Sequence, residues 1–387
     1  MLKKKIIKWL VIGLMMFIVG GFGGFIFDRY LMPFLGSCRF FSKYDFLQGS
    51  GKNTTIIRET ERVVVKDDNS VNELASSAAQ SVVDVFAITD IQENAFSSKS
   101  DQKEGKRGAG TILTNDGVVV THKNNVFEDE SSKYYITIFD GNVFEANLIG
   151  VDNFSDLAFL QVEGVNLSAV PFANSDDAII GKKVIALGRS FGSHQVSIAE
   201  SILSDYNEIF NLAGKELSSS EKLEGVFNLS FNVNENYVGG PIVDYNGELI
   251  AITSFVDFDN EKEYFQIPSN KVKNSMNKIF SGEAENSAKL GVYYISIDDY
   301  FSRLSSLPIK EGAIIYSSSG KQGLAVISNS PAEKAGIKIN DIIVSINGEK
   351  IDLKNPLSSI INKHKVGDRI QMEILRGNKE MDLDVQL

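Results

Sequence analysis

From Trp9 to Phe27 the chain runs for 19 residues without a charged side chain, and this stretch limits the fold more than any other. As a helix rising about 1.5 Å per residue it nearly covers a hydrocarbon core, and Ile6 and Ile7 extend it. Lys3, Lys4, Lys5 and Lys8 precede it. Clustered lysines stay on the cytoplasmic side, so the pattern predicts a cytoplasmic tail over 1–8 and a transmembrane helix over 9–28. Everything beyond Asp28-Arg29 is then extracytoplasmic, on a single-pass protein of the cell membrane. The run is long for a signal peptide and no small-residue cleavage site follows it, which favours an uncleaved anchor. Leu35-Gly36-Ser37-Cys38 has only a faint likeness to a lipoprotein cleavage site.

A chain of 387 residues is too long for one ordinary core, so two or more domains are expected. The net charge of -11 and pI near 5.0 argue against a general nucleic-acid binder. A single cysteine, Cys38, excludes an internal disulfide. His122, His194 and His364 are scattered, so neither a zinc site nor any other metal or cofactor is implied. Residues 39–72 are polar and mixed in charge, the composition of a linker or stalk.

From 73 to 280 short apolar runs recur, among them "SVVDVFAI", "GVVVTH", "DLAFLQV" and "GELIAITSF". Turn signals such as Asn115-Asp116-Gly117, Asp140-Gly141 and Asn246-Gly247 separate many of them. Many short strands at close spacing predict closed or nearly closed barrels. Only 269–280 has a helical pattern, with Val272, Met276, Ile279 and Phe280 on one face.

Five segments in this stretch match, in order, motifs of one family. The first is "ASSAAQSVVDVFAI". "GAGTILTNDGVVVTHKNNV" matches a block carrying a catalytic histidine, and "GVDNFSDLAFLQVEG" one carrying a catalytic aspartate. "GKKVIALGRSFG" matches a glycine-rich block, and "FNVNENYVGGPIVDYNGELIAI" the block around a nucleophilic serine. The region thus resembles the HtrA/DegP group of trypsin-like serine proteases, which implies two six-stranded β-barrels with a site between them.

The resemblance also shows what has changed. A serine protease needs a hydroxyl nucleophile, an imidazole base and an orienting carboxylate. The triad-equivalent positions here are Asn124, Asp156 and Val238, and only Asp156 keeps the family's residue. Asparagine is no general base near neutral pH, and valine has no electron pair to donate. The oxyanion-turn equivalents are Asn236 and Tyr237, where the family has glycine and asparagine. His122 lies two positions before the base position, but reaching the site from there needs a register slip.

Residues 284–387 form a separate unit. "SNSPAEKAGIKINDIIVSINGEKI", 328–351, has Pro331 at a helix start, Gly336 after the helix end and an Asn347-Gly348 turn between strands. The unit resembles the PDZ domain that follows HtrA-type proteases. Such domains add a peptide C-terminus as a strand beside an exposed edge. The resemblance places Leu290, Gly291 and Val292 in the carboxylate-binding loop and Tyr293 on the edge strand. Ile360 and Ile361, on the second helix, are expected to line the side-chain pocket.

The expected fold is mainly β: an N-terminal transmembrane helix, a trypsin-like double β-barrel and a PDZ domain. The expected function is peptide binding by a degenerate protease, in protein quality control or as a regulatory scaffold. Two alternatives stay open, an active serine-type endopeptidase with a rearranged site and a structural subunit assembling with an active relative. Expected partners are peptide C-termini or unfolded segments, the membrane through the N-terminal helix, and a homotrimer or hetero-assembly, but no nucleic acid.

Overall fold

The computed structural model describes residues 2–31, 34, 69–90, 103–129, 131–190, 195–214, 217–258, 261–284 and 286–387. Cys38, His194 and most of the expected linker lie outside these. The chain divides into two compact units, Met1–Val65 and Lys66–Leu387. In the first, helix α1 (Leu2–Ile26) runs into a π-helical turn, Phe27–Leu31. Its Ile7–Ile26 portion has the length and composition shared by membrane spans and signal sequences. Its large apolar side chains, Trp9 and Phe17 among them, are exposed.

The second unit opens with helix α2 (Asn69–Ala79), which starts inside the stretch read as linker and buries Ala75, Ala78 and Ala79. Strands β1 (Val82–Asp90), β2 (Lys103–Ile112), β3 (Val118–His122), β4 (Lys133–Thr137), β5 (Val143–Asp152) and β6 (Leu157–Val162) follow. They close a barrel in the order β1-β2-β3-β6-β5-β4. Strands β7 (Lys183–Arg189) and β8 (Val196–Asn211) come next, then the short β9 (Ser218–Ser219). A second barrel takes up β7 and β8 with β10 (Glu224–Leu229), β11 (Pro241–Asp244), β12 (Leu249–Phe258) and β13 (Glu261–Pro268). Closure leaves neither sheet an open edge, which explains why nearly uninterrupted apolar strands such as β3 are tolerated.

Val82, Val120 and Phe159 of the first barrel share one buried cluster with Leu187, Ile252 and Phe265 of the second. The seam between the barrels is therefore itself a core. Helix α3 (Ser269–Phe280) closes the unit over this cluster with Val272 fully buried and Met276 and Ile279 packed against it. Phe280, expected on that same face, is instead 55% exposed. It is the last residue of the helix, one step of about 100° beyond Ile279, and that step turns it outward.

The PDZ portion contains β14 (Tyr293–Ser296), helix α4 (Asp299–Leu304), β15 (Ala313–Ile315), helix α5 (Pro331–Lys334), β16 (Asp341–Ile346), β17 (Glu349–Lys350), helix α6 (Leu357–Ile361), β18 (Arg369–Arg376) and β19 (Lys379–Gln386). The Ser330 hydroxyl caps α5 by accepting the Glu333 amide at 3.2 Å. The sheet order is β19-β18-β16-β15-β14-β9, with β17 beside β16. Strand β9, which lies between β8 and β10 in sequence, thus ends a sheet of the next domain.

The retained Gly239-Gly240 pair has a packing reason. Gly239 has φ +87°, and a Cβ there would overlap the Ala109 carbonyl oxygen; one on Gly240 would overlap that of Leu187. The Gly239 amide donates to the Thr253 carbonyl at 2.8 Å, and its own carbonyl accepts the Thr111 hydroxyl at 2.9 Å. Backbone strain and overlap together make Gly239→Ala cost about 2–4 kcal/mol. Urea unfolding measures this, and a loss below about 0.5 kcal/mol, the range of a neutral surface change, would show that the backbones separate freely.

Candidate functional site

Asp156 immediately precedes β6 with φ +56° and is 6% exposed. Its carbonyl accepts the Lys123 amide at 3.0 Å, which joins the ends of β3 and β6. Its carboxylate faces two ammonium groups: Lys123 Nζ and Lys222 Nζ each lie 2.6 Å from Oδ1. Lys222 also donates to the Asn153 carbonyl at 2.9 Å. Burial lowers the Lys222 pKa, and Asp156 opposes that effect. A buried carboxylate must be compensated, and here two lysines compensate it.

Asn124 is exposed, in the 3-10 turn Lys123–Asn125. Its neighbour Asn125 is the buried member, donating from Nδ2 to the Thr121 hydroxyl at 2.9 Å and occupying the space a Cβ on Gly108 would need. His122 ends β3 opposite Leu157, so strand pairing shows no slip towards the base position. Its Nδ1 accepts the Asn124 amide at 3.1 Å, and its ring stacks on Phe255 with centroids 4.6 Å apart. Accepting at Nδ1 places the neutral ring's proton on Nε2. Nε2 is buried, and the ring also has a backbone hydrogen bond to Phe255. Burial lowers the His122 pKa to about 4, with Asp156 partly opposing. This histidine is a packed, neutral ring.

Val238, at the nucleophile position, is 4% exposed and follows a 3-10 turn, Glu235–Tyr237. The Asn236 amide donates to Asn234 Oδ1 at 3.0 Å, the Tyr237 amide to the Asn234 carbonyl at 3.0 Å and the Val238 amide to the Glu235 carbonyl at 3.2 Å. The donors an oxyanion would use are therefore bonded within the turn. Tyr237 packs edge-on against Phe231, with centroids 5.3 Å apart. A cavity of about 560 Å³ beside the turn is lined by Phe231, Asn232, Lys262, Tyr264 and Gln266, and Lys262 pairs with Glu235 of the turn.

In the PDZ portion, Leu290 and Val292 are fully buried, with Ile360 and Ile361 in the same cluster. Gly291 between them has φ +83°, and a Cβ on it would overlap Ser330. The edge beside this loop is taken. Ser219 pairs antiparallel with Tyr293, and Ser218 with Tyr294. The Gly291 amide donates to Glu221 Oε1 at 2.7 Å and the Val292 amide to Ser220 Oγ at 3.1 Å, while the Ser220 amide donates to the Val292 carbonyl at 3.1 Å.

Residues 100–252 match the trypsin-like peptidase domain family, and residues 288–387 the PDZ domain family. The periplasmic serine endoprotease DegP of Escherichia coli K12 is 30% identical over 291 residues, 74% of this chain and 58% of DegP. The serine protease Do-like HtrA of Bacillus subtilis is 27% identical over 340 residues, covering 83% of this chain and 73% of that protein. This chain belongs to the HtrA family. Among solved structures, the HtrA-type protease AlgW with a decapeptide matches 81% of this chain and 97% of its own at a TM-score of 0.60 and 19% identity. The serine endoprotease from Yersinia pestis matches at 0.52 and 21% identity, covering 81% of this chain and 96% of its own. At such identities the structural likeness concerns the fold.

Two groups of site residues in this HtrA relative escape a reading of the sequence. Lys222 lies 66 positions from Asp156, and no local pattern links them. Ser218 to Glu221 look like an ordinary polar loop, and only the β9–β14 pairing gives them a role.

The His122 environment has a consequence for stability. The folded-state pKa of about 4 lies below the ordinary 6.5, so the unfolded chain binds the proton more tightly. His122 thus supports the fold fully above pH 6.5, and that support is lost as pH falls from 6.5 towards 4. The total is on the order of 3 kcal/mol. An NMR titration of the imidazole protons tests this, and a His122 midpoint near 6.5 would place the ring in solvent.

Proposed function

We propose that this HtrA relative binds peptide segments without hydrolysing them, and that it does so outside the cytoplasm, anchored by its N-terminal helix. The observation that carries the proposal is the state of the three triad positions. Asp156 is held by Lys123 and Lys222, Asn124 is exposed, and Val238 offers no nucleophile. Acyl transfer through a covalent intermediate needs an oxygen or sulfur nucleophile beside a base, followed by stabilisation of the oxyanion. None of these requirements is met at the aligned positions.

Binding rests on the PDZ portion, where a peptide would add as a strand at the loop and edge that Ser218 to Glu221 take up in this structure. Each backbone hydrogen bond contributes about 0.5–1.5 kcal/mol net, and one buried apolar terminal side chain about 1.5–3 kcal/mol. After ordering costs, affinity for a peptide C-terminus is on the order of micromolar. The AlgW structure with its decapeptide supports this choice of ligand class. The lysines ahead of Trp9 and the periplasmic relatives support the placement outside the cytoplasm.

The full-length protein is expected to give no fluorophosphonate labelling and no hydrolysis of an unfolded protein substrate. Cleavage that disappears in Asp156→Ala would overturn the proposal. Val238→Ser with Asn124→His restores the triad side chains but leaves both lysines on Asp156 and the turn amides bonded. That double variant is expected to remain inactive, and adding Lys222→Ala and Asn236→Gly is expected to raise its activity. For the anchor, a protease added to cells with opened outer layers is expected to remove everything beyond about residue 40, in keeping with the positive-inside rule. Recovery of a soluble form lacking Trp9 to Phe27 would refute the anchor.

A further inference from the structure

We infer that the segment Ser218 to Glu221 is an internal ligand of the PDZ groove, so that an external peptide binds only by displacing it. The inference rests on the reading of Leu290-Gly291-Val292 as a carboxylate-binding loop, and it concerns what occupies that loop in this chain.

The match is one of hydrogen-bond geometry. A peptide adding to β14 must run antiparallel to it, with its carboxylate oxygens facing the loop amides. Ser218 and Ser219 run antiparallel, opposite Tyr294 and Tyr293. Ser220 continues the ladder, its amide donating to the Val292 carbonyl at 3.1 Å. Two side-chain oxygens then do what a terminal carboxylate would do: Glu221 Oε1 accepts the Gly291 amide at 2.7 Å and Ser220 Oγ accepts the Val292 amide at 3.1 Å. The Ser220 hydroxyl donates to Glu221 Oε1 at 2.7 Å, which fixes the two acceptors side by side. A charged acceptor strengthens such a bond relative to a neutral one.

A second contact holds the segment in place. Glu224, in β10, is fully buried, and its carboxyl reaches hydroxyls of the segment, the edge strand and the groove helix. Oε1 accepts Ser218 at 2.6 Å and Ser296 at 3.1 Å, and Oε2 accepts Tyr294 at 2.6 Å and Ser358 at 3.2 Å. Ser358 lies on α6, on the far side of the groove from β14. The occupant is therefore pinned at both ends, by Glu221 at the loop and by Glu224 below it. Ligands able to compete must bring a free carboxylate to the Gly291 and Val292 amides.

The test uses the full chain in detergent, as wild type, Glu221→Gln and Ser220→Ala. Hydrogen exchange by mass spectrometry over residues 290–296 is expected to be slow in the wild type. In both variants it is expected to be at least about tenfold faster, with the β18–β19 hairpin unchanged as a control for folding. The binding probe is a fluorescein-labelled decapeptide ending in Ser-Ser-Val with a free carboxylate. Its affinity is expected to rise about tenfold in Glu221→Gln, because that variant weakens the competing acceptor. Unchanged exchange in both variants, or equal peptide affinity for wild type and Glu221→Gln, would overturn the inference. Faster exchange with no peptide binding to any form would uphold the internal ligand and refute the reading of the groove as a receptor for C-termini.

Discussion

The close crossing of backbones at Gly239-Gly240 is the constraint on which the two-barrel body depends. Neither residue has room for a Cβ, because the carbonyls of Ala109 and Leu187 stand where one would be. Thr111 and Thr253, one from each barrel, bond to the same short stretch. The stretch next to the aligned nucleophile position is thus also a structural joint between the barrels. This separates what can be lost from what cannot. At position 238 only a side chain is at stake, whereas Gly239 is pressed against the first barrel at Ala109 and Gly240 against the second barrel's own Leu187.

A buried aspartate with an exposed asparagine at position 124 poses an electrostatic problem that the rest of the site must solve. An uncompensated carboxylate in that position would be costly. Lys123 and Lys222 remove the cost. The 3-10 turn before Val238 settles its backbone in a comparable way, with the Asn236, Tyr237 and Val238 amides bonded inside the turn. At the aligned positions, the Asp156 carboxylate and the Asn236, Tyr237 and Val238 amides all have partners from within this chain.

Much of this architecture was legible in the sequence because strand periodicity, turn residues and glycine positions are local signals. The barrels, the helix start at Pro331 and the Asn347-Gly348 turn all follow from residues close in the chain. Asp156 and Val238 are read from contiguous motifs, which are local signals of the same kind. What stayed hidden depends on distance in the chain. Lys222 meets Asp156 only after both barrels close, and the exposed end of α3 at Phe280 is set by where the helix stops rather than by its periodicity. Glu224 is the sharpest case. An acidic residue at the start of an apolar strand looks solvated, yet it is fully buried because hydroxyls from another domain surround it.

Consecutive residues of one segment face two different sites. Lys222 points to Asp156 just ahead of β6, and Glu221 points to Gly291 in the PDZ loop. A turn produces this opposition: the Lys222 amide donates to the Ser219 carbonyl at 3.2 Å, and the chain bends between the two contacts. Two contacts on adjacent residues cannot be treated as independent. A displacement that pulls Glu221 from the loop also moves the backbone carrying Lys222, and the charge balance at Asp156 changes with it. What this path carries is the strength with which barrel and PDZ hold the same short segment.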